Sequence, residues 1–192
     1  MKRCFVALRL PEETRAALGR LLVELRELAP AAARRLRPVR STNLHLTLKF
    51  LGATPDDQVP TLTAALEPIA RRSRLPPLTL DGIGAFPSAD RPRILFAAPL
   101  HPQEPLCHLA EEIEQACLPL GFAAEKRGQH PHVTLARIEA ATPRGPLSDF
   151  IARHAHDAFG ALDVSALVLF ESQLSPSGSI YTPLATLALG AA

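Results

Sequence analysis

Two runs of one pattern, His45-Leu46-Thr47-Leu48 and His132-Val133-Thr134-Leu135, constrain this chain more than any other feature. Each reads histidine, apolar residue, threonine, leucine, inside a stretch that alternates like a strand. In a β-strand, residues two apart share a face. Each tetrad therefore turns an imidazole and a hydroxyl to one side and its aliphatic residues to the other. Two copies with apolar flanks predict two matching halves built around a shared site.

The rest of the chain is that of an ordinary globular protein. At 192 residues it can bury a sizeable core. Its 47% hydrophobic and 21% charged residues exclude a disordered chain. A net charge of +2 excludes a non-specific nucleic-acid coat, while leaving room for local arginines at a phosphate. Cys4, Cys107 and Cys117 lack metal-ligand spacing and read as reduced thiols, Cys4 in a buried strand and the others in a helix. The apolar run after Met1-Lys2-Arg3 is broken by Arg9, Pro11 and two glutamates, so no export segment is expected. No run reaches the ~18 apolar residues that span a bilayer. A cytoplasmic protein without a membrane partner is the expectation.

Hydrophobic periodicity predicts a strand over Cys4–Leu10, then a helix from Pro11 with Glu12 and Glu13 in its first turn, stopping at Pro30. A brief strand at Leu36–Val39 leads to a turn at Ser41-Thr42-Asn43. The first tetrad strand, Leu44–Leu51, closes at Gly52, and Thr54-Pro55-Asp56-Asp57 predicts a helix start. Leu78–Phe86 and Ile94–Ala98 read as a hairpin, Pro105–Leu118 as a helix, and Phe122–Glu125 and Pro131–Ile138 as strands. A helix over Pro146–His156 and strands over Leu162–Phe170 and Ser179–Leu189 finish the pattern. Strands paired between helices favour an antiparallel α+β fold, whose halves share one interface over residues 1–192.

Imidazole exchanges protons near neutrality. Of two imidazoles facing one cleft, a neutral one removes a proton from water while a protonated one supplies a departing alkoxide. Opening a cyclic phosphodiester needs both acts. Thr47 and Thr134, beside the rings, are placed to donate hydrogen bonds to the non-bridging oxygens. No cofactor is required.

The extended runs Asn43-Leu44-His45-Leu46-Thr47-Leu48-Lys49-Phe50-Leu51-Gly52 and His130-Pro131-His132-Val133-Thr134-Leu135-Ala136-Arg137 resemble the two-histidine (2H) phosphoesterase superfamily. Within it they are most similar to the RNA 2′,3′-cyclic phosphodiesterases, historically named 2′-5′ RNA ligases. The resemblance covers nearly the whole chain. It implies a bilobal, pseudo-twofold pair of antiparallel sheets with helices outside and the tetrads facing across a groove. It also implies His45 as proton donor to the ribose 3′-oxygen, His132 as proton acceptor from water, a 2′-phosphate product, and Arg127 as a phosphate or nucleotide contact. The substrate would be an RNA or oligonucleotide with a 2′,3′-cyclic phosphate end, or a small cyclic nucleotide, with weak 2′-5′ joining as the reverse reaction. A monomer is expected. Relatives often carry aromatic residues before each tetrad, where this chain has Pro38-Val39 and Gly128-Gln129. Stacking is therefore expected from Phe50, Phe86 or Tyr181, with His130 at the groove edge.

Two other readings stay open. One is an AMP-like nucleotide-binding module on the same fold without turnover. The other is a metal-dependent hydrolase using His130 and His132, which would share a strand face. Against it, carboxylates are missing around both tetrads and a hydrolytic metal usually takes three protein ligands. His154 and His156, near a helix end, read as a solvated pair complementing the helix dipole, and His101 and His108 as surface residues.

Overall fold

The computed structural model describes residues 1–99, 103–125, 130–139, 144–176 and 178–190. Among these, ten strands and five α-helices alternate along the chain: β1 (Lys2–Arg9), α1 (Glu12–Leu28), α2 (Pro30–Ala33), β2 (Leu36–Pro38), β3 (His45–Thr54), α3 (Gln58–Arg72), β4 (Thr79–Leu80), β5 (Ile83–Phe86), β6 (Ile94–Ala97), α4 (Glu104–Cys117), β7 (Val133–Ile138), α5 (Arg144–Arg153), β8 (Gly160–Ala161), β9 (Ala166–Ser175) and β10 (Gly178–Ala188). Short 3₁₀ turns at Ser41–Asn43 and Leu118–Leu120 complete the order.

Eight strands form one sheet in the order β10-β9-β1-β3-β7-β6-β5, with β2 also paired to β7. Every pairing is antiparallel, and β4 and β8 form a separate pair. The large sheet divides into two sets of four strands. One holds β10, β9, β1 and β3, and the other β2, β7, β6 and β5. They are stitched where Leu46 of β3 pairs with Val133 of β7. Beyond that point β3 leaves the edge of β7, and β2 takes it over through Pro38–Ala136, Arg37–Arg137 and Leu36–Ile138.

Alternation sorts the strands into two layers. Cys4, Val6 and Leu8 face a large core shared with Leu18, Leu21 and Leu25 of α1, Leu62 and Leu66 of α3, and Leu106 and Ile113 of α4. Phe5 and Ala7 face the other way, packing with Val168 and Phe170 in a small cluster that Tyr181 borders. Helices thus cover one face of the sheet, and the small aromatic cluster lies on the opposite face.

Two bulges in β3 decide which residues share that open face. Ala7 pairs with Thr47 but Val6 with Lys49, leaving Leu48 as an extra residue. The shift turns Lys49 into the helix layer and sends Phe50 to the open side, where it is 68% exposed. A second shift falls between Cys4 and Phe5, and Gly52 beyond it adopts φ +72°, a left-handed conformation that glycine tolerates.

Several sequence expectations need correcting. β3 continues through Gly52 to Thr54, so Thr54 does not cap a helix; its hydroxyl donates to Gly52 O instead, and α3 begins at Gln58. Pro30 ends α1 but opens α2. At its other end α3 reaches Arg72, as the sequence pattern suggests, with Pro68 accommodated inside the helix. The stretch 78–86 splits into β4, which pairs with β8, and β5, which forms the expected hairpin with β6. Phe122–Glu125 is not a strand. Its polar groups are spoken for by side chains: Lys49 Nζ donates to Ala123 O at 2.7 Å, and Glu125 N–H donates to Glu114 Oε1 at 3.1 Å. Lys49 Nζ also lies 2.7 Å from Glu114 Oε2 in a buried ion pair between β3 and α4.

Candidate active site

His45 and His132 are anchored in the same way. His45 Nδ1 lies 2.7 Å from the carbonyl oxygen of Asn43, and His132 Nδ1 lies 2.6 Å from that of His130. A carbonyl only accepts, so each Nδ1 carries the proton and each Nε2, on the far side of the ring, is left for chemistry. The local cause is the same in both halves. The chain enters each tetrad through a constrained segment, a 3₁₀ turn at Ser41–Asn43 and a proline at 131, which presents the carbonyl two residues back to the ring. Asn43 is itself held, because its Nδ2 donates to Ser179 O of β10 at 2.6 Å.

The Leu46–Val133 pairing brings the two halves of the site together. In an antiparallel ladder the neighbours of a paired residue lie opposite each other. Thr134 therefore falls across from His45, and His132 across from Thr47. The intervening Leu46, Leu48, Val133 and Leu135 are buried, whereas both histidines and both threonines are partly accessible. Each hydroxyl thus adjoins the imidazole of its own tetrad and faces that of the other.

Aromatic rings brace the imidazoles from below. His45 lies against Phe5 (centroids 4.7 Å apart) and meets Tyr181 edge-on at 5.2 Å. His132 meets Phe86 at 5.1 Å and Phe96 at 5.5 Å, both edge-on. Phe86 and Phe96 stack at 4.3 Å. That stack depends on Gly84: a Cβ there would come within 2.6 Å of Phe96 Cζ.

Burial is the main influence on both imidazoles, and it pulls each below its ordinary pKa by disfavouring the charged ring. The anchoring carbonyls of Asn43 and His130 oppose that shift. Proximity to His132 adds a further lowering at His45, and His130 does the same for His132. The first of these effects is repulsion between the two tetrads' own rings. In the absence of an anion these influences favour the neutral form of both rings. A phosphate between them would supply the charge that lets one ring keep its proton.

The structure groups most of the residues singled out in the sequence. His130 is exposed, its ring 6.0 Å from Phe86. Phe86 touches His132, Tyr181 touches His45, and Phe50 stands 6.3 Å from Phe5. Arg127 and His101 lie outside the described residues. His108 is exposed, but His154 is buried, contrary to the solvated pair expected with His156. Its Nδ1 lies 2.7 Å from Asp157 Oδ2 and its Nε2 3.3 Å from Glu24 Oε1, which ties α5 to α1. Among the described residues no three His, Cys, Asp or Glu side chains converge as a metal site. No helix there is long and apolar enough to cross a membrane.

Sequence reasoning missed Phe5, Phe170, Phe96 and Gly84. The alternation of Cys4–Leu10 carried a signal for Phe5, since it opposes Cys4 and Val6. The role of Gly84 depends on its cross-strand partner, Phe96, which only the β5–β6 register reveals.

Comparison with known proteins matches residues 8–96 and 98–181 to a family described as LigT-like phosphoesterase. A Thermus thermophilus protein named RNA 2′,3′-cyclic phosphodiesterase is 34% identical over 188 residues, covering 95% of this chain and 87% of its own. An Aeropyrum pernix protein of the same name is 33% identical over 150 residues, covering 78% and 84%. Among solved structures, a protein from Thermus thermophilus superposes with a TM-score of 0.79 at 32% identity, covering 97% of each chain. E. coli LigT complexed with 3′-AMP superposes with a TM-score of 0.76 at 28% identity, covering 98% of each.

Proposed function

The chain belongs to the LigT-like phosphoesterase family, and we propose that it is an RNA 2′,3′-cyclic phosphodiesterase in which His45 is the acid and His132 the base. In this reading neutral His132 takes a proton from water at Nε2 as the water oxygen attacks phosphorus. The P–O3′ bond breaks opposite, and O3′ receives the proton carried by His45 Nε2. The product is a 2′-phosphate with a free 3′-hydroxyl. Thr47 and Thr134 donate to the non-bridging oxygens as charge builds there. Arg127 adds a cation on the approach to the second tetrad.

The observation that carries the reading is the matched anchoring of His45 and His132 on either side of the Leu46–Val133 junction. Two imidazoles fixed in the same tautomer, with both Nε2 atoms left over, suit in-line displacement. Anion binding raises the proton affinity of the pair: a negative phosphodiester beside two neutral rings lets one of them take a proton from solvent. The proton inventory then closes on the pair. Weak 2′-5′ joining follows when a 5′-hydroxyl takes the place of water: its oxygen bonds to phosphorus, the same P–O3′ bond breaks, His132 takes the hydroxyl proton and His45 protonates O3′.

The reading extends to the rest of the molecule as one domain of two interleaved lobes over residues 1–192, a monomer working in the cytoplasm on RNA ends. Reduced Cys4, Cys107 and Cys117 support that compartment. The test is to incubate the protein with 2′,3′-cyclic-ended oligonucleotides with and without EDTA and identify the product isomer. Chelator-resistant formation of the 2′-phosphate is expected. The 3′-phosphate isomer would reverse the assignment of the leaving oxygen, and loss with EDTA would favour a metal hydrolase. Tight nucleotide binding without turnover would make the protein a binding module.

A further inference from the structure

Arg9 is the backbone partner of His45 across β1 and β3, and it lies on the same face as Phe5 and Ala7. Cross-strand partners sit about 5 Å apart at Cα, so this guanidinium starts one strand away from the acid imidazole. Arg9 is exposed and makes no ion pair among the described residues. Its Cζ lies 5.7 Å from the centroid of Phe170, which borders the same aromatic floor. Burial, the Asn43 carbonyl and His132 act on the His45 ring. Arg9 stands over Phe170, whose ring centroid lies 6.4 Å from that of His45. A cation without an ion pair among the described residues, held over an aromatic ring one strand away from His45, is placed for an anion beside the reacting one.

In-line geometry says which anion. Resting on the roles proposed above, the 3′-oxygen departs toward His45 while water arrives from the His132 side. The terminal ribose therefore lies on the His45 side of phosphorus, and the strand leaves its 5′-oxygen in that direction. β1 and β9, with Arg9 and Phe170, lie on the His45 side of the Leu46–Val133 junction. The opposite side offers Arg137, paired across strands with Arg37, but the ribose is not on that side.

We propose that Arg9 binds the phosphodiester immediately 5′ of the terminal nucleotide, so that the enzyme distinguishes an oligonucleotide end from a free nucleoside cyclic phosphate. The Phe170 ring holds the guanidinium in place and leaves its edge free to donate to phosphate oxygens. Arg9 is a specificity residue: it contacts the chain and takes no part in proton transfer.

The test separates this inference from the catalytic reading by measuring binding as well as turnover. A 2′-phosphate-ended tetranucleotide and a nucleoside 2′-phosphate serve as non-reacting probes, with wild type, Arg9→Gln, Arg9→Lys and Arg137→Gln. Arg9→Gln should weaken the tetranucleotide about tenfold, the scale of one charge-assisted contact, and leave the mononucleotide within about twofold. Its salt slope for the tetranucleotide should fall by about 0.7, one phosphate contact on a single strand. Arg9→Lys should retain most of the affinity. Equal losses for both probes, no loss for either, or a change in the ratio confined to Arg137→Gln would each overturn the inference. Turnover of a cyclic-ended tetranucleotide by the wild type is read separately. Its absence would refute the catalytic roles, while the ratio of the two binding constants still decides Arg9.

Discussion

Leu46 faces Val133 across the sheet, and that one pairing sets Thr134 opposite His45 and Thr47 opposite His132. The site is therefore assembled by backbone register between two half-sheets, with its four polar groups on one face and aliphatic partners locked into the core on the other. A one-residue slip would exchange the faces.

Loss of either hydroxyl should be felt in turnover before it is felt in folding. Thr47→Val and Thr134→Val preserve shape and β-branching while removing a donor. Each should lower kcat by about tenfold or more with KM less affected, as for a group that serves mainly the transition state. A fall in melting temperature with unchanged kcat would make the threonines structural.

Protonation of the pair should oppose folding. Both imidazoles titrate below their ordinary value of about 6.5 in the folded chain. Between the unfolded and folded pKa values the unfolded chain binds more protons, so stability declines as pH falls through that window. The difference in unfolding free energy between wild type and His45→Gln should therefore change in wild type's disfavour from pH 7 to 5. Inorganic phosphate should offset the change. A pH-independent difference would show that His45 is not depressed. In kinetics, the limbs of kcat/KM should both lie on the acid side of 6.5, because they report the free enzyme.

Gly84→Ala tests the brace under His132. The new Cβ would meet the Phe96 ring at 2.6 Å, so the ring must move, and Phe86 and His132 pack against it. A cost of about 1–3 kcal/mol is expected from overpacking, together with a loss of kcat that Phe96→Leu partly restores by vacating the space. An unaltered kcat would mean that ring contacts do not position His132.

Lys49 and Glu114 should stand or fall together. The pair is buried between β3 and α4, and it fixes Ala123 and Glu125 ahead of the second tetrad. Removing only the ammonium, in Lys49→Ala, strands a carboxylate in the core and should cost about 3–5 kcal/mol. Lys49→Met with Glu114→Gln should recover much of that loss in chemical denaturation. Equal losses for the single and double variants would contradict the coupling.

The sequence was legible where one interaction governs local structure. The tetrads announced their strands through alternation, and the antiparallel α+β class followed from strands in adjacent pairs. It was illegible where a distant partner decides. Thr54-Pro55-Asp56-Asp57 has the composition of a helix start, yet bulges in β3 carry the strand to Thr54. Phe122–Glu125 has strand-like residues, but Lys49 and Glu114 occupy Ala123 O and Glu125 N–H. His154 reads as a surface residue until Glu24, 130 positions earlier (154 − 24), is seen beside it. Arg9 reads as an interruption in an apolar run, and only the β1–β3 register reveals it as the neighbour of His45.

The most direct test is single-turnover hydrolysis of a 2′,3′-cyclic-ended oligonucleotide by wild type, His45→Ala, His132→Ala and the double variant. Each single change should slow the chemical step by at least about 10²-fold, the contribution of a general acid or base. The double variant should be little worse than either, because the two groups act in one step. Wild-type rates in either single variant would contradict the paired mechanism outright.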